Sequence, residues 1–155
     1  MGRICDGRRT VLAWSAVFSF GWLTPAAAQL PEIRSTLSGV YTVEQAEQGA
    51  EVFKSICSNC HGPANPLWGP QFVNVWGGQS IWRLYEFVSM SMPYGKGGSL
   101  TSEQSRTAIA YILQRNGYPA GDAPFPEEMI EIAFINFDPH PKPGTELTAP
   151  DGEKK

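Results

Sequence analysis

Cys57-Ser58-Asn59-Cys60-His61 is a C-x-x-C-H run, and in an exported chain that run is the attachment pattern of a c-type haem. Two intervening residues set the sulfurs one short turn apart, close to the separation of the two haem vinyl groups. Each thiol can then add to a vinyl as a thioether, and the next residue turns its imidazole toward the ring centre. Five residues thus specify a covalent cofactor through Cys57 and Cys60, its orientation, and one axial iron ligand, His61. Other chemistries also use C-x-x-C. Structural zinc needs four ligands, and outside the run the only other histidine is His140. A thioredoxin-like pair sits in a strand-and-helix context, which the sequence does not show. A disulfide between cysteines three apart closes too small a loop to constrain much.

The beginning of the chain supplies the export signal that this reading needs. Arg3, Arg8 and Arg9 form a positive start, residues 11–23 are an apolar run, and Ala26-Ala27-Ala28 offers small residues before a cut at Gln29. The run is shorter than the roughly 20 residues of a spanning helix, and Pro25 interrupts its end, so cleavage is expected rather than anchoring. Arg8-Arg9 is a weak twin-arginine cue. Haem attachment follows export, so the ordinary secretory route suits an unfolded cargo and the expected location is periplasmic. Cleavage removes Cys5 and leaves Cys57 and Cys60 as the only cysteines.

Cleavage also removes three arginines and Asp6, taking the net charge from −3 to −5. An acidic protein of this kind is unsuited to nucleic acid or an anionic membrane surface and suits a partner with a basic docking patch. The mature span, 29–155, is long enough for one domain.

Thr42-Val43-Glu44-Gln45 has the form of a capping box, and Ala46, Gly49, Ala50 and Phe53 follow at helical spacing. This predicted helix runs into Cys57. Residues 62–79 are rich in Gly, Pro and Asn, without helical period, and read as a long loop that wraps something. A second helix is predicted over residues 80–91, with Ile81, Leu84, Tyr85 and Val88 as its stripe, stopped at Met92-Pro93 because proline disfavours helix in the residue before it. Residues 94–100 form a glycine-rich loop. Thr101-Ser102-Glu103-Gln104 opens a third helix with another capping box; Ala108, Tyr111, Ile112 and Arg115 follow, and Gly117 is a natural stop. Residues 126–137 allow one more short helix, and 138–155 have the composition of a disordered tail. No alternating strand pattern is evident, so the chain reads as all-α with long loops.

A second iron ligand decides what such a haem does, because methionine opposite histidine raises the potential and suits electron transfer. The candidates are Met90, Met92, Met129 and His140. Met92 is preferred: it lies far enough beyond His61 for the chain to pass around the haem edge, at a helix-to-loop junction, with Pro93 stiffening the backbone behind it. Met90 points about 160° away on the same helix. Core filling is the ordinary use of a methionine such as Met90 or Met129, and a lone His140 among prolines reads as a surface residue.

The order of these features is a helix with Gly49 and Phe53, Cys57-Ser58-Asn59-Cys60-His61-Gly62, Gly69-Pro70, Trp76-Gly77-Gly78, Met92-Pro93, Gly98-Ser99-Leu100-Thr101, and a helix carrying Tyr111. It resembles the small monohaem class I cytochromes c over residues 40–118, and looks most similar to those that partner or form part of quinoprotein (pyrroloquinoline quinone) dehydrogenases. The resemblance implies a cytochrome c fold, three to five helices and long loops wrapped around one covalently bound haem. It also implies that Gly49 and Phe53 pack against Tyr111, and that Met92 is the second ligand. The Pro70 carbonyl would accept a hydrogen bond from the other nitrogen of the axial His61. Trp68, Phe72, Trp76 and Trp82 are either pocket lining or core. The chain then divides into a cleaved signal (1–28), a cytochrome domain (29–118) and a partly disordered extension (119–155).

The expected function is periplasmic one-electron transfer with His61 and Met92 on the iron, with no enzymatic activity of the chain's own. The implied partners are redox proteins: a periplasmic dehydrogenase as donor, and a terminal oxidase or another cytochrome as acceptor. The mature protein is expected to have no membrane span. The alternatives are a tightly bound cytochrome subunit of a quinoprotein dehydrogenase, or a five-coordinate gas-binding or peroxidase-like haem protein.

Overall fold

Thr42 and Thr101 start the two helices that organise the molecule. In the computed structural model, which describes Gly2 and residues 30–139, the Gln45 N–H donates to Thr42 Oγ1 and opens α1 (Val43–Val52). Thr101 opens α4 (Ser102–Arg115) with both halves of a capping box, Gln104 N–H to Thr101 Oγ1 at 3.1 Å and Thr101 N–H to Gln104 Oε1 at 2.9 Å. At α1 the reciprocal half goes elsewhere: Gln45 Oε1 accepts the Phe125 N–H at 2.6 Å. The expected signal segment (1–28) apart from Gly2, His140 and the tail beyond it lie outside the described residues.

The fold is mostly helical, with five α-helices among the described residues. Besides α1 and α4 these are α2 (Pro70–Trp76), α3 (Ile81–Ser91) and α5 (Met129–Ala133). Helix α2 falls inside the stretch read from sequence as loop. Its two turns are too short to show a period; Pro70 occupies the first helical position, where its missing N–H costs nothing, and Phe72 buries itself in the core. Two short strands, β1 (Arg34–Ser35) and β2 (Ile135–Asn136), pair in parallel with Arg34 opposite Ile135. Strands of two residues leave no alternation to read. Among the described residues no helix is long and apolar enough to cross a membrane.

Helices α1 and α4 cross at Gly49. A Cβ there would stand 1.8 Å from the Thr107 carbonyl oxygen and 2.9 Å from Tyr111 Cβ. The Phe53 and Tyr111 rings meet at 5.3 Å on the same side. Helix α3 packs on α4 and α5, and its stripe Ile81, Leu84, Tyr85 and Val88 joins Ile109, Ile112 and Leu113 in the core.

Residues beyond 118 belong to this same core. Phe125, Ile132, Ile135 and Phe137 are fully buried. The Gly121 N–H donates to the Tyr41 carbonyl at 2.7 Å, and the Phe137 N–H to the Gln79 carbonyl at 2.8 Å. Packing therefore continues through a segment that the sequence set apart as an extension.

Two buried tyrosines fasten it. Tyr41 Oη donates to the Tyr118 carbonyl at 2.6 Å, and Tyr118 Oη donates to the Asp138 carbonyl. Burial pushes Tyr41 from 10.0 up to about 12. It raises Tyr118 as well, helped by the charge of Asp138. A folded-state value above the unfolded one means full stability below about pH 10 and a loss as pH rises toward about 12. Urea unfolding followed by circular dichroism at increasing pH is expected to show stability declining in that window. In Tyr41→Phe, stability at neutral pH should fall by about 1 kcal/mol for the lost hydrogen bond, with a shallower alkaline decline. An unchanged alkaline slope would contradict the assignment.

Candidate functional site

The end of α1 determines how the Cys57–His61 run is presented. The helix widens into a π-type turn over Phe53–Cys57, where the Ser58 N–H reaches back to the Phe53 carbonyl at 2.8 Å. Wide turns of this kind occur often at functional sites. The Cys57 carbonyl then accepts two N–H groups, Cys60 at 3.1 Å and His61 at 2.9 Å. This tight turn folds Cys60 and His61 back beside Cys57, so all three side chains line one cleft. The thiols are unbridged, Cys57 half-buried and Cys60 exposed. Burial pushes the Cys57 thiol up from its usual range, so less of it is thiolate at neutral pH.

The rest of the lining comes from distant parts of the chain. Val88 and Met92 reach the cleft from the end of α3, Leu100 from the loop before α4, and Ala108 and Ile112 from one face of α4. Ile56 and Leu67 complete the apolar lining, and Pro93 and Tyr94 border the opening, where Tyr94 is 91% exposed. The cleft has a volume of about 340 Å³, within the range of small-molecule and cofactor sites. Among the described residues no carboxylate, lysine or arginine lines it. The lining thus combines two thiols, an imidazole and a thioether with hydrocarbon, and among the described residues no three His, Cys, Asp or Glu side chains are grouped to hold a bare metal ion.

The four residues that the sequence offered opposite His61 separate in the structure. Met92 lines the cleft. Met90 is 69% exposed and Met129 is 65% exposed, so neither fills the core. His140 lies outside the described residues.

Pro70 departs from the expected role. It stands at the start of α2, where its carbonyl is directed along the helix toward the fourth residue on. The His61 Nδ1 instead lies 3.3 Å from the Asn65 carbonyl and 3.4 Å from Asn65 Nδ2. If Nδ1 carries the proton it donates to that carbonyl, which leaves Nε2 with its lone pair free for a metal.

The aromatic residues also resolve. Phe72 is core, Trp76 and Trp82 pack against it, and Trp68 lies between Phe53 at 5.7 Å and the Arg115 guanidinium at 4.4 Å. None of these four lines the cleft. The apolar stripe of α4 already marked Ala108 and Ile112 as inward-facing, but the contributions of Asn65 and Leu67 had no local signal. Comparisons with protein-family models, with curated proteins and with solved structures give no match.

Proposed function

We propose that this protein has a cytochrome c fold, holds one covalently attached c-type haem in the cleft, and works as a periplasmic one-electron carrier between redox proteins. The observation that carries the reading is the convergence of Cys57, Cys60 and His61 with Met92 on a single apolar cleft, although α2 and the whole of α3 separate Met92 from His61 in the chain. The residues fit the group: haem would need hydrocarbon walls, which the cleft has, and its iron would accept the nitrogen and thioether donors that His61 and Met92 offer. When bound, haem supplies reversible one-electron chemistry.

The remaining roles belong to the chain. Cys57 and Cys60 anchor the group through thioethers, His61 offers Nε2, Met92 offers its sulfur, and Val88, Leu100, Ala108 and Ile112 exclude water. The acidic surface, −5 after export, suits weak encounters with a basic docking face. A dehydrogenase as donor and an oxidase or second cytochrome as acceptor fit that role.

Expression in a host competent in cytochrome maturation tests this directly. The expected product is coloured, carries one haem per chain that resists acid–acetone extraction, and leaves neither Cys57 nor Cys60 open to alkylation. A colourless protein with both thiols free would overturn the proposal.

A further inference from the structure

We infer that Asn116 is a positioning residue for the His61 side of the cleft, acting by fastening the strap of residues 65–69 to the end of α4. The inference that this tunes an iron ligand rests on the function proposed above; the fastening itself does not.

The strap does two things for the site. Asn65 supplies the atoms beside His61 Nδ1, and Leu67 forms part of the cleft wall. It ends at Gly69, whose φ of +95° with ψ of −179° is a conformation essentially confined to glycine. A segment with such a turn and no helix or strand of its own needs an outside anchor to hold one path.

Asn116 is that anchor. It is 7% exposed and caps α4. Its Oδ1 accepts the Gly69 N–H at 2.9 Å, and its Nδ2 donates to the Leu67 carbonyl at 3.0 Å and to the Ile112 carbonyl at 2.7 Å. Both amide protons and the oxygen are used. A helix cap needs only the local Ile112 bond. The other two reach across 47 and 49 residues to backbone groups on either side of Trp68, so they set where the chain runs. Arg115 lies over the Trp68 ring, and Phe53, at the start of the wide turn that ends at Cys57, touches Trp68 as well. The strap is thereby pinned both to α4 and to the turn that ends at Cys57. Since the partner of a ligating imidazole sets its orientation and basicity, an unpinned strap would let His61 turn.

The test uses the cofactor-free and haem-loaded chains with Asn116→Ala, Asn116→Asp and Ile132→Val. The aspartate keeps the acceptor for Gly69 but has no N–H to donate. Ile132 is buried in α5, outside the strap, and controls for general loss of stability. In the cofactor-free chain, amide exchange over residues 65–69 is expected to quicken about tenfold in Asn116→Ala, less in Asn116→Asp and not in Ile132→Val. The His61 ring nitrogen shifts should change in the same order. In the loaded chain the midpoint potential should move in Asn116→Ala and stay put in Ile132→Val. If Asn116→Ala lowers Tm but leaves the exchange and the ring signals as in wild type, the positioning role is overturned. If those two respond but the wild-type chain takes up no haem, the strap assignment stands and the haem reading falls.

Discussion

Gly49→Ala is expected to lower Tm by about 10 °C or more, the reverse of what alanine does in an exposed helix. Helix propensity alone favours alanine over glycine by about 1 kcal/mol. The new Cβ, however, would lie 1.8 Å from the Thr107 carbonyl oxygen and 2.5 Å from its carbon, against ordinary contact of about 3.5–4.0 Å. Backbone atoms of α4 cannot rotate away, so α1 and α4 must separate and break the Phe53–Tyr111 contact that crosses beside them. Overpacking of this kind costs roughly 3 kcal/mol or more, a large share of the roughly 5–15 kcal/mol typical of a domain, and each kcal/mol moves Tm by about 4–8 °C at this size. Gln48→Ala, on the exposed side of the same helix, should leave Tm nearly unchanged. Thermal unfolding of both variants decides the matter: a Gly49→Ala protein as stable as wild type would mean that the close crossing is not present in solution. The consequence reaches the cleft, because Phe53 begins the wide turn that ends at Cys57.

Met92→Ala should produce the other large effect, on the midpoint potential. Under the proposed function the thioether favours ferrous iron, and its loss should lower the potential by on the order of 100 mV or more, where about 59 mV is a tenfold change in a one-electron equilibrium. The sulfur-to-iron charge-transfer band of the oxidised protein should vanish, and the reduced protein should bind carbon monoxide. Met90→Ala is the matched control, since Met90 is a near neighbour in the chain but exposed and outside the cleft lining; its potential should not move. An unchanged potential in Met92→Ala, or an equal drop in Met90→Ala, would show that Met92 is not the ligand.

Much of the scaffold was legible because it is written in short-range pattern. The threonines at 42 and 101 announce helix starts through a hydroxyl that meets an N–H three residues on. The α3 and α4 stripes repeat at helical spacing over several turns, enough for a period to show. Helix α2 escaped because a short segment beginning at proline and flanked by glycines looks like loop in every local respect. The packing of residues 119–137 escaped for a different reason. Their fit depends on Gln45, Tyr41 and Gln79, which all lie far back in the chain; the Phe125–Gln45 bond alone spans 80 residues.

The candidate site divides along the same line. Cys57, Cys60 and His61 are readable from five adjacent residues, because their chemistry is set by covalent spacing. The preference for Met92 over Met90 was already implicit in helical geometry, and the exposure of Met90 agrees with it. The His61 partner was not readable. Any carbonyl within reach would serve, and the folded chain uses Asn65 while α2 engages Pro70.

By itself, then, the amino-acid order determined the C-x-x-C-H run, the helix starts and the inward faces, since each depends on neighbours a few positions apart. The tertiary structure alone decided which groups lie beside the His61 imidazole and where residues 119–137 pack. Those outcomes depend on groups that folding brings together from separate elements or from opposite ends of a loop, and no local propensity encodes such a meeting.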